Sequence, residues 1–237
     1  MHRQREPEWM DEDNADPEEL RQSLVFIERV NRYLRYTRTL IRHLARLSVA
    51  WKPGEDISIL DIATGSGDVP REILAWGKKR GVDLRITGVD RQAETLQLAR
   101  ETKTGPQIRF VRADALALPF TPGSFDYVIC SMFLHHLSEN EAIAVIESAD
   151  RISRRGFLIA DLERSRRAYA WISLFTLLSN PMVKHDARVS VKQAFTRDEI
   201  LELCRRAKVK DVRYHRHFGH RFVLAKEKIV DEMSGTA

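Results

Sequence analysis

Apolar and polar residues follow two different periods along the chain, and these periods predict its strands and helices. Short apolar runs predict buried strands at 57–63, 84–89, 108–113, 126–131 and 156–161, and two late strands at 209–217 and 221–226. Apolar residues spaced three or four positions apart predict helices near 68–80, 92–102, 139–152 and 197–207. Strands that alternate with helices are typical of a doubly wound α/β sheet with right-handed crossovers.

A separate helical region precedes the first strand. Asp16 is placed as an N-cap, with Pro17 in the first turn and Glu19 three residues after the cap. Helical spacing then continues to residue 47. We predict a helical cap over 16–50 that packs on the sheet edge or roofs a substrate pocket, a disordered or loosely attached tail over 1–15, a main domain over 51–228, and a tail over 229–237.

The most specific chemical signal lies where the first strand ends. The strand runs into the turn Gly65-Ser66-Gly67, and the second strand ends on Asp90. A dinucleotide site would have a third glycine where this chain has Pro70, and no P-loop lysine follows. A tight turn with a carboxylate for two ribose hydroxyls suits a nucleoside cofactor without a pyrophosphate, of which S-adenosylmethionine is the common example.

Four segments carry a resemblance to a known family. Asp61–Val69 resembles the first motif of class I S-adenosylmethionine-dependent methyltransferases, and is similar to that of the ubiquinone/menaquinone-biosynthesis type. The predicted lid and N-terminal helices look more like those of small bacterial polyketide and phenol methyltransferases. Three later segments agree in order and spacing: Gly88–Asp90, Arg112–Phe120, and Phe125–Ser131 with Leu134–Leu137. The resemblance covers roughly residues 55 to 160. It implies a Rossmann-like seven-stranded sheet whose last strand is antiparallel, and S-adenosyl-L-methionine as cofactor.

Residue by residue, the resemblance implies a set of cofactor contacts. Gly65 and Gly67 would bring backbone close to the cofactor, Asp90 would bind the ribose diol, and Asp114 with the Ala115 backbone would meet the adenine. Asp61 would stabilise the loop or meet the amino group, and Asp114 could equally cap a helix. The full predicted set is Asp61, Ala63, Gly65, Ser66, Gly67, Asp90, Arg91, Asp114, Ala115 and Ser131.

Two histidines follow the fourth strand, where the reacting methyl group is expected. His135 or His136 could remove a proton from a phenol or enol, because histidine titrates near neutral pH. The alternative is that the pair packs beneath the cofactor or caps the next helix. The residues Asp161, Trp171 and His185 are weaker candidates for contact with the substrate, the last two in a predicted lid over about 163–195.

We predict no metal site. His215, His217 and His220 alternate with arginines on a late strand, but we find no carboxylate or cysteine beside them in the sequence, and they predict an exposed polar face.

The composition indicates the class of protein and its cellular compartment. Hydrophobic residues make up 43% of the chain and there are two cysteines, which favours a globular cytoplasmic protein without disulfides. The N-terminus reads as polar, with no signal peptide, and no apolar run reaches membrane-spanning length. The net charge of +5 is interpreted as charged side chains on a solvated surface. The alternative is that the basic residues attract an anionic membrane face or an acidic substrate.

Three functions compete. The leading one is methyl transfer to a small apolar aromatic acceptor (phenolic, quinone-like or polyketide), on oxygen. Carbon methylation of a quinone precursor is an alternative, although His135-His136 and Arg154-Arg155-Gly156 stand where that type has an arginine-asparagine signature and a Pro-Gly-Gly turn. A nucleic-acid methyltransferase is disfavoured, because Cys130–Phe133 lacks the Asn/Asp-Pro-Pro-aromatic motif. A non-catalytic S-adenosylmethionine-binding protein also remains open.

Overall fold

Seven strands and seven α-helices lie in the parts of the chain that the computed structural model describes, which are residues 1–9, 21, 22, 25, 28, 36–52, 54–101 and 105–228. The strands are β1 (Asp56–Ile62), β2 (Asp83–Asp90), β3 (Ile108–Arg112), β4 (Phe125–Ser131), β5 (Ser153–Leu162), β6 (Arg213–His217) and β7 (Arg221–Glu227). The helices are α1 (Tyr36–Leu47), α2 (Asp68–Lys79), α3 (Ala93–Glu101), α4 (Glu139–Ile152), α5 (Arg166–Phe175), α6 (Pro181–Gln193) and α7 (Arg197–Arg206).

All seven strands belong to one sheet with the order β3-β2-β1-β4-β5-β7-β6. The first five strands are parallel, whereas β7 is antiparallel to both β5 and β6. The predicted fold class is therefore confirmed, including the antiparallel last strand. The chain proceeds outward from β1 to β2 and β3 and then returns to β4 on the other side of β1. In open α/β sheets, such a reversal leaves a crevice at the carboxyl ends of the strands where ligands bind.

Buried apolar side chains form one cluster on each face of the sheet. Along β1, Leu60 and Ile62 point into a cluster with α4 and α7, while Ile57 and Ile59 point into a cluster with α1 and α2. This alternation follows from the period of two in a strand. Because helices cover both faces, the parallel strands read as nearly continuous apolar runs in the sequence.

Two strand boundaries differ from the prediction by more than one residue. β5 begins at Ser153 rather than 156. Arg154 and Arg155, near the start of this strand, pair with the carboxylates of Asp126 and Glu55, and these ion pairs allow the strand to extend. β6 begins at Arg213 rather than 209, because Lys208 and Asp211 have positive φ angles and form turns.

The late histidines are less exposed than the sequence predicts. His217 and His215 lie half-buried against α1, where the His43 Nε2 atom is 3.0 Å from His217 Nε2 and the rings of His43 and His215 are 4.7 Å apart. Burial and the neighbouring histidines lower the pKa of His43 to about 4. The interpretation as an exposed face was wrong because the strand pattern does not reveal that α1 covers the β6–β7 edge.

The N-terminal region also differs from the prediction. Residues 1–9 lie against the domain, with Glu8 buried, whereas we predicted a loosely attached tail over 1–15. The predicted helix start at Asp16 and Pro17, residues 10–15 and the tail at 229–237 lie outside the described residues. The second half of the predicted cap is α1, which packs on α2, β5 and β7.

Two helices, α5 and α6, occupy the predicted lid between β5 and α7. Asn180 caps α6 by accepting a hydrogen bond from the Val183 N–H, and Pro181 takes the first helical position. No helix within the described parts of the chain combines the length and apolar character needed to cross a bilayer.

Candidate functional site

A cavity of about 320 Å³ opens at the carboxyl ends of β1, β2, β3 and β4, at the reversal point of the sheet. Its size lies at the lower end of the range for small-molecule sites, about 300 to 1,000 Å³. The lining residues are Arg5, Ala63, Gly65, Val89, Asp90, Arg91, Gln92, Thr95, Ala113, Asp114, Ala115, Leu116, Met132, Phe133, His136, Leu137 and Glu141.

The glycine turn forms one wall of this cavity through backbone atoms. Gly65 has a φ of +55°, and a Cβ built on it would meet no heavy atom within 4 Å, so a ligand can approach its backbone. Gly67 serves a different purpose: its φ is +75°, and a Cβ there would lie 2.7 Å from the Phe110 ring. Gly65 therefore faces the cavity, and Gly67 lets the turn pack on β3 and start α2.

The carboxylate of Asp90 is fixed at the end of β2 by backbone donors. Its Oδ2 accepts a hydrogen bond from the Gly65 N–H at 3.0 Å, and its Oδ1 accepts one from the Gln92 N–H at 3.0 Å. A carboxylate has about four acceptor positions, so the same two oxygens can also accept from a diol. The glycine turn and the acid of the next strand are thus one hydrogen-bonded unit.

Asp61 lies below this unit and does not line the cavity. It is buried, and its Oδ2 accepts a hydrogen bond from the Thr64 hydroxyl at 2.7 Å. Burial raises the pKa of Asp61 to about 7, and the negative charges of Asp68 and Asp90 add to this rise. The arrangement agrees with a carboxylate that stabilises the glycine loop.

Asp114 stands on the opposite side of the cavity, after β3. Its Oδ1 accepts a hydrogen bond from the Leu116 N–H at 2.9 Å, so the side chain stabilises a turn. The turn places Asp114, Ala115 and Leu116 together in the wall. No helix begins at Asp114, so the alternative role as a helix cap was wrong, and its contact with a ligand stays a prediction.

The loop after β4 separates the two predicted catalytic histidines. Met132 has a φ of +54°, which is uncommon for a residue other than glycine, and it turns the chain into a short helix at Leu134–His136. His136 lines the cavity, whereas His135 lies behind it, with the two rings 4.1 Å apart. Of the two, His136 is the one that can reach a ligand in the cavity.

His135 is held by Asp161 at the end of β5. Asp161 accepts from the His135 backbone N–H at 2.9 Å, and its other oxygen lies 2.6 Å from the ring Nδ1. Burial acts to raise the pKa of Asp161, but the His135 ring and the N–H groups of His135 and Leu162 hold it below its usual value. Since this carboxylate is ionised and can only accept, the Nδ1 of His135 carries the proton.

The N-terminal segment covers this loop. The Arg3 guanidinium donates hydrogen bonds to the carbonyl oxygens of Gln193 and Leu137 and lies 3.7 Å above the Phe195 ring. Arg5 reaches the cavity, 3.8 Å from the Glu141 carboxylate. Residues 1–9 therefore connect the lid helix α6 to the cavity wall.

Glu8 of this segment brings a carboxylate beside both histidines. Its Oε1 is 3.7 Å from His135 Nε2 and 3.9 Å from His136 Nδ1, and the three ligand atoms lie within 4.8 Å of one another. Within the described ranges this is the group that could hold a divalent cation. The expectation that the site uses no metal stays a prediction.

The structure thus divides the predicted site residues into two sets. Those that line the cavity are Ala63, Gly65, Asp90, Arg91, Asp114, Ala115 and His136; those that do not are Asp61, Ser66, Gly67, Ser131, His135, Asp161, Trp171 and His185. Trp171 stacks on Phe175, and His185 stacks on Trp9 at 4.3 Å, so both lid residues contact aromatic neighbours instead. The roles of all these residues stay predictions.

Sequence reasoning missed several residues of the wall. Gln92 and Thr95 come shortly after Asp90 in the sequence, and this position could have indicated that they line the cavity. Arg5 and Glu141 gave no signal, because nothing local shows that residues 1–9 fold back over the loop after β4.

Comparison with known proteins agrees with this site. Residues 59–156 match a family described as "Methyltransferase domain", which is less than half of the chain. The match begins in β1 and ends in β5, so it includes the glycine turn, Asp90, Asp114 and both histidines. The resemblance drawn from the four motifs is therefore confirmed at the level of a methyltransferase domain.

Among curated proteins, the chain is similar to demethylmenaquinone methyltransferases. It is 37% identical over 83 residues to that of Deinococcus radiodurans, which covers 34% of this chain and 33% of the relative. It is 36% identical over 85 residues to that of Thermus thermophilus, covering 35% and 37%. The chain thus spans about a third of the length of the curated relatives it matches.

Solved structures resemble the chain over more of its length. A SAM-dependent methyltransferase from Aquifex aeolicus superposes with a TM-score of 0.60 at 16% identity, covering 89% of this chain and 97% of the other. Magnesium protoporphyrin IX methyltransferase from Synechocystis PCC 6803 gives 0.57 at 15% identity, covering 83% and 85%. At these identities the likeness concerns the fold alone.

Proposed function

We propose that this chain is an S-adenosylmethionine-dependent methyltransferase acting on a small lipophilic aromatic acceptor of the phenolic, quinone-like or polyketide kind. The observation that carries the proposal is the unit formed by Gly65 and Asp90, in which the backbone of the turn and a fixed carboxylate face one cavity. This unit fits an adenosine whose ribose hydroxyls donate to Asp90. Neither a third glycine nor a P-loop lysine is present in the turn to hold a pyrophosphate.

The residues that line the cavity would hold the cofactor. Asp114 and Ala115 would hold the adenine, Asp90 would hold the ribose, and the glycine turn with Met132 would hold the methionine portion. The relatives support this cofactor, because one structural neighbour is described as SAM dependent and another was solved with bound SAH.

Methyl transfer asks little covalent chemistry of the protein. When bound, the cofactor would supply an electrophilic methyl group with sulfur as its leaving group, and the acceptor oxygen that takes the methyl group must lose a proton. We propose that His136 takes that proton, because this residue lines the cavity. His135 hydrogen-bonds through its Nδ1 to Asp161, and this contact positions the loop behind His136.

The lid supports a lipophilic acceptor. Its first helix and the turn after it expose four large apolar side chains, Leu174, Phe175, Leu177 and Leu178, the last with 98% of its surface accessible. Arg166 and Arg167 precede them and are exposed. Apolar residues beside cations are suited to an anionic lipid surface, so we propose that the lid touches a membrane from which the acceptor is taken.

Carbon methylation is the second candidate. The two relatives named above are demethylmenaquinone methyltransferases, which favours an aromatic carbon of a quinone-type acceptor. Oxygen remains our first choice, since His135-His136 replaces the arginine-asparagine signature of the quinone-biosynthesis type.

The test is turnover with identification of the product. The purified chain is incubated with S-adenosylmethionine and a panel of phenols, naphthols and reduced naphthoquinones, and S-adenosylhomocysteine is quantified. NMR of the product separates a methoxy group from a ring methyl group. RNA and buffer serve as controls. Cofactor binding without S-adenosylhomocysteine on any acceptor would instead favour a non-catalytic binding protein.

A further inference from the structure

A buried arginine lies near the candidate site without the partners that such a charge requires. Arg221 is 6% exposed, and its Nε and Nη1 atoms are buried without a hydrogen-bond partner among the described residues. Arg164 offers a comparison within the same chain, since it is equally buried but donates to the Glu199 carboxylate and to the carbonyl oxygens of Met1 and Ala194. Burying a charge without such partners costs folding free energy, so we expect Arg221 to have a function.

The guanidinium lies at the same edge of the sheet as the cavity. Arg221 begins β7, which is antiparallel to β5, and it pairs with Leu162 at the carboxyl end of β5. Its guanidinium lies 4.5 Å from the centre of the Tyr36 ring, at the start of α1. The Tyr36 hydroxyl is also buried without a partner within the described residues.

Charges connect this pair to the loop after β4. Burial and the charge of Asp161 raise the pKa of Tyr36, while Arg221 and the Ser131 side chain act against that rise. Burial lowers the pKa of Arg221, and Tyr36 and Asp161 act to raise it. Asp161 accepts hydrogen bonds from His135 and Leu162, and the Nε and Nη1 atoms of Arg221 donate none to it.

The space beside the pair is small. A cavity of about 10 Å³ is lined by Tyr36, Thr39, His217, Phe218 and Arg221, together with Phe222 and Val223. This volume holds one water or one oxygen atom of a larger group. A guanidinium with two unpartnered N–H groups beside a phenol is suited to an oxygen that carries negative charge.

We propose that Arg221 and Tyr36 form an oxyanion subsite that binds a phenolate or carboxylate oxygen of the aromatic acceptor. The proposal rests on the proposed function, which supplies the aromatic acceptor, and it adds the charge of that acceptor. Arg221 donates from Nε and Nη1 and Tyr36 donates from its hydroxyl, so the oxygen meets three donors.

The experiment compares three probes of similar shape by calorimetry, with and without saturating S-adenosylhomocysteine. The probes are 4-nitrophenol, 4-nitrobenzoate and the neutral nitrobenzene. We expect at least one oxyanion probe to bind at least tenfold more tightly than nitrobenzene. The tighter of the two anions distinguishes phenolate from carboxylate, and the yellow band of bound 4-nitrophenolate should persist to lower pH than in water.

The variants separate a subsite from a structural arginine. Arg221→Met should lose the tenfold preference and unfold at a temperature equal to or a few degrees above the parent, because an unpartnered buried charge is removed. Arg221→Lys should keep part of the preference, and Arg213→Met, an exposed arginine of the neighbouring strand, should change nothing. Tyr36→Phe should weaken anion binding alone.

Two results would overturn the subsite. One is equal binding of all three probes to the parent, which would mean that water alone satisfies Arg221. The other is a fall in melting temperature of Arg221→Met with no change in probe preference. Failure of the parent to bind S-adenosylhomocysteine would count against the proposed function separately, because the probes are also titrated without it.

Discussion

Substitution of Asp90 by asparagine tests the assignment of the cofactor site most directly. The asparagine has the same shape, and its oxygen can still accept from one of the two backbone N–H groups that now hold the carboxylate, those of Gly65 and Gln92. What it loses is the negative charge and the capacity to accept from both hydroxyls of a ribose.

The expected effect follows from the number of hydrogen bonds removed. A hydrogen bond to a charged group contributes about 1.5 to 3 kcal/mol, so two of them contribute about 3 to 6 kcal/mol. With about 1.4 kcal/mol for each factor of ten, the dissociation constant for S-adenosylhomocysteine should rise by a factor of about 100 or more. Because one backbone N–H loses its acceptor, the melting temperature should also fall by a few degrees.

The assay is isothermal titration calorimetry at a temperature where both proteins are folded, with Asp83→Asn as the matched control. Asp83 begins the same strand at the opposite edge of the sheet and is exposed. The control should bind like the parent. A rise of less than about fivefold for Asp90→Asn, with folding intact, would refute the assignment of the ribose to this carboxylate.

Four further outcomes are expected. Burial raises the pKa of Asp61 to about 7 in the folded chain, so the folded chain keeps a proton that the unfolded chain releases between about pH 4 and 7. The free energy of unfolding should therefore fall as the pH rises through this range, by at most about 4 kcal/mol. Asp61→Asn should melt above the parent at pH 8 but not at pH 4. His136→Gln should lower kcat about 100-fold or more while cofactor affinity stays within about threefold; equal losses in kcat and affinity would contradict a role as base. Gly67→Ala should destabilise the chain to urea by about 2 to 4 kcal/mol through its positive φ and the Phe110 ring, against about 1 kcal/mol for the same change at the first glycine of the turn; equal costs would be evidence against this packing role. Leu178→Ser should reduce binding to vesicles with anionic lipids more than Val49→Ser does, both side chains being exposed; identical binding by both would speak against a membrane-facing lid.

The cofactor half of the site could be predicted because its signals are local. The turn at Gly65 and the acid at Asp90 each follow an apolar strand, and the carboxyl ends of parallel strands meet at one edge. Their hydrogen bond joins residues 25 positions apart, but the βαβ unit between them determines that contact. The sheet itself followed from the same alternation of strands and helices.

The different purposes of the two glycines depended on tertiary packing. Both fit a tight turn in the sequence, yet only Gly65 faces the cavity, because the Phe110 ring from another strand lies against Gly67. A sequence shows that a glycine is needed for a turn, and only the packed neighbours show which side of it a ligand can approach.

The proposed acceptor half of the site depends on contacts between distant parts of the chain. Glu8 meets His135 across more than 120 positions, and Arg221 meets Tyr36 across more than 180. No periodicity or motif spacing in the sequence indicates such contacts, because each depends on how whole helices and strands pack together. The sequence by itself therefore determined the sheet, the glycine turn and the position of Asp90, whose signals lie within single βα units. The tertiary structure alone decided which histidine reaches the cavity and which charges are buried beside it, because burial and long-range electrostatics exist only after the elements have assembled.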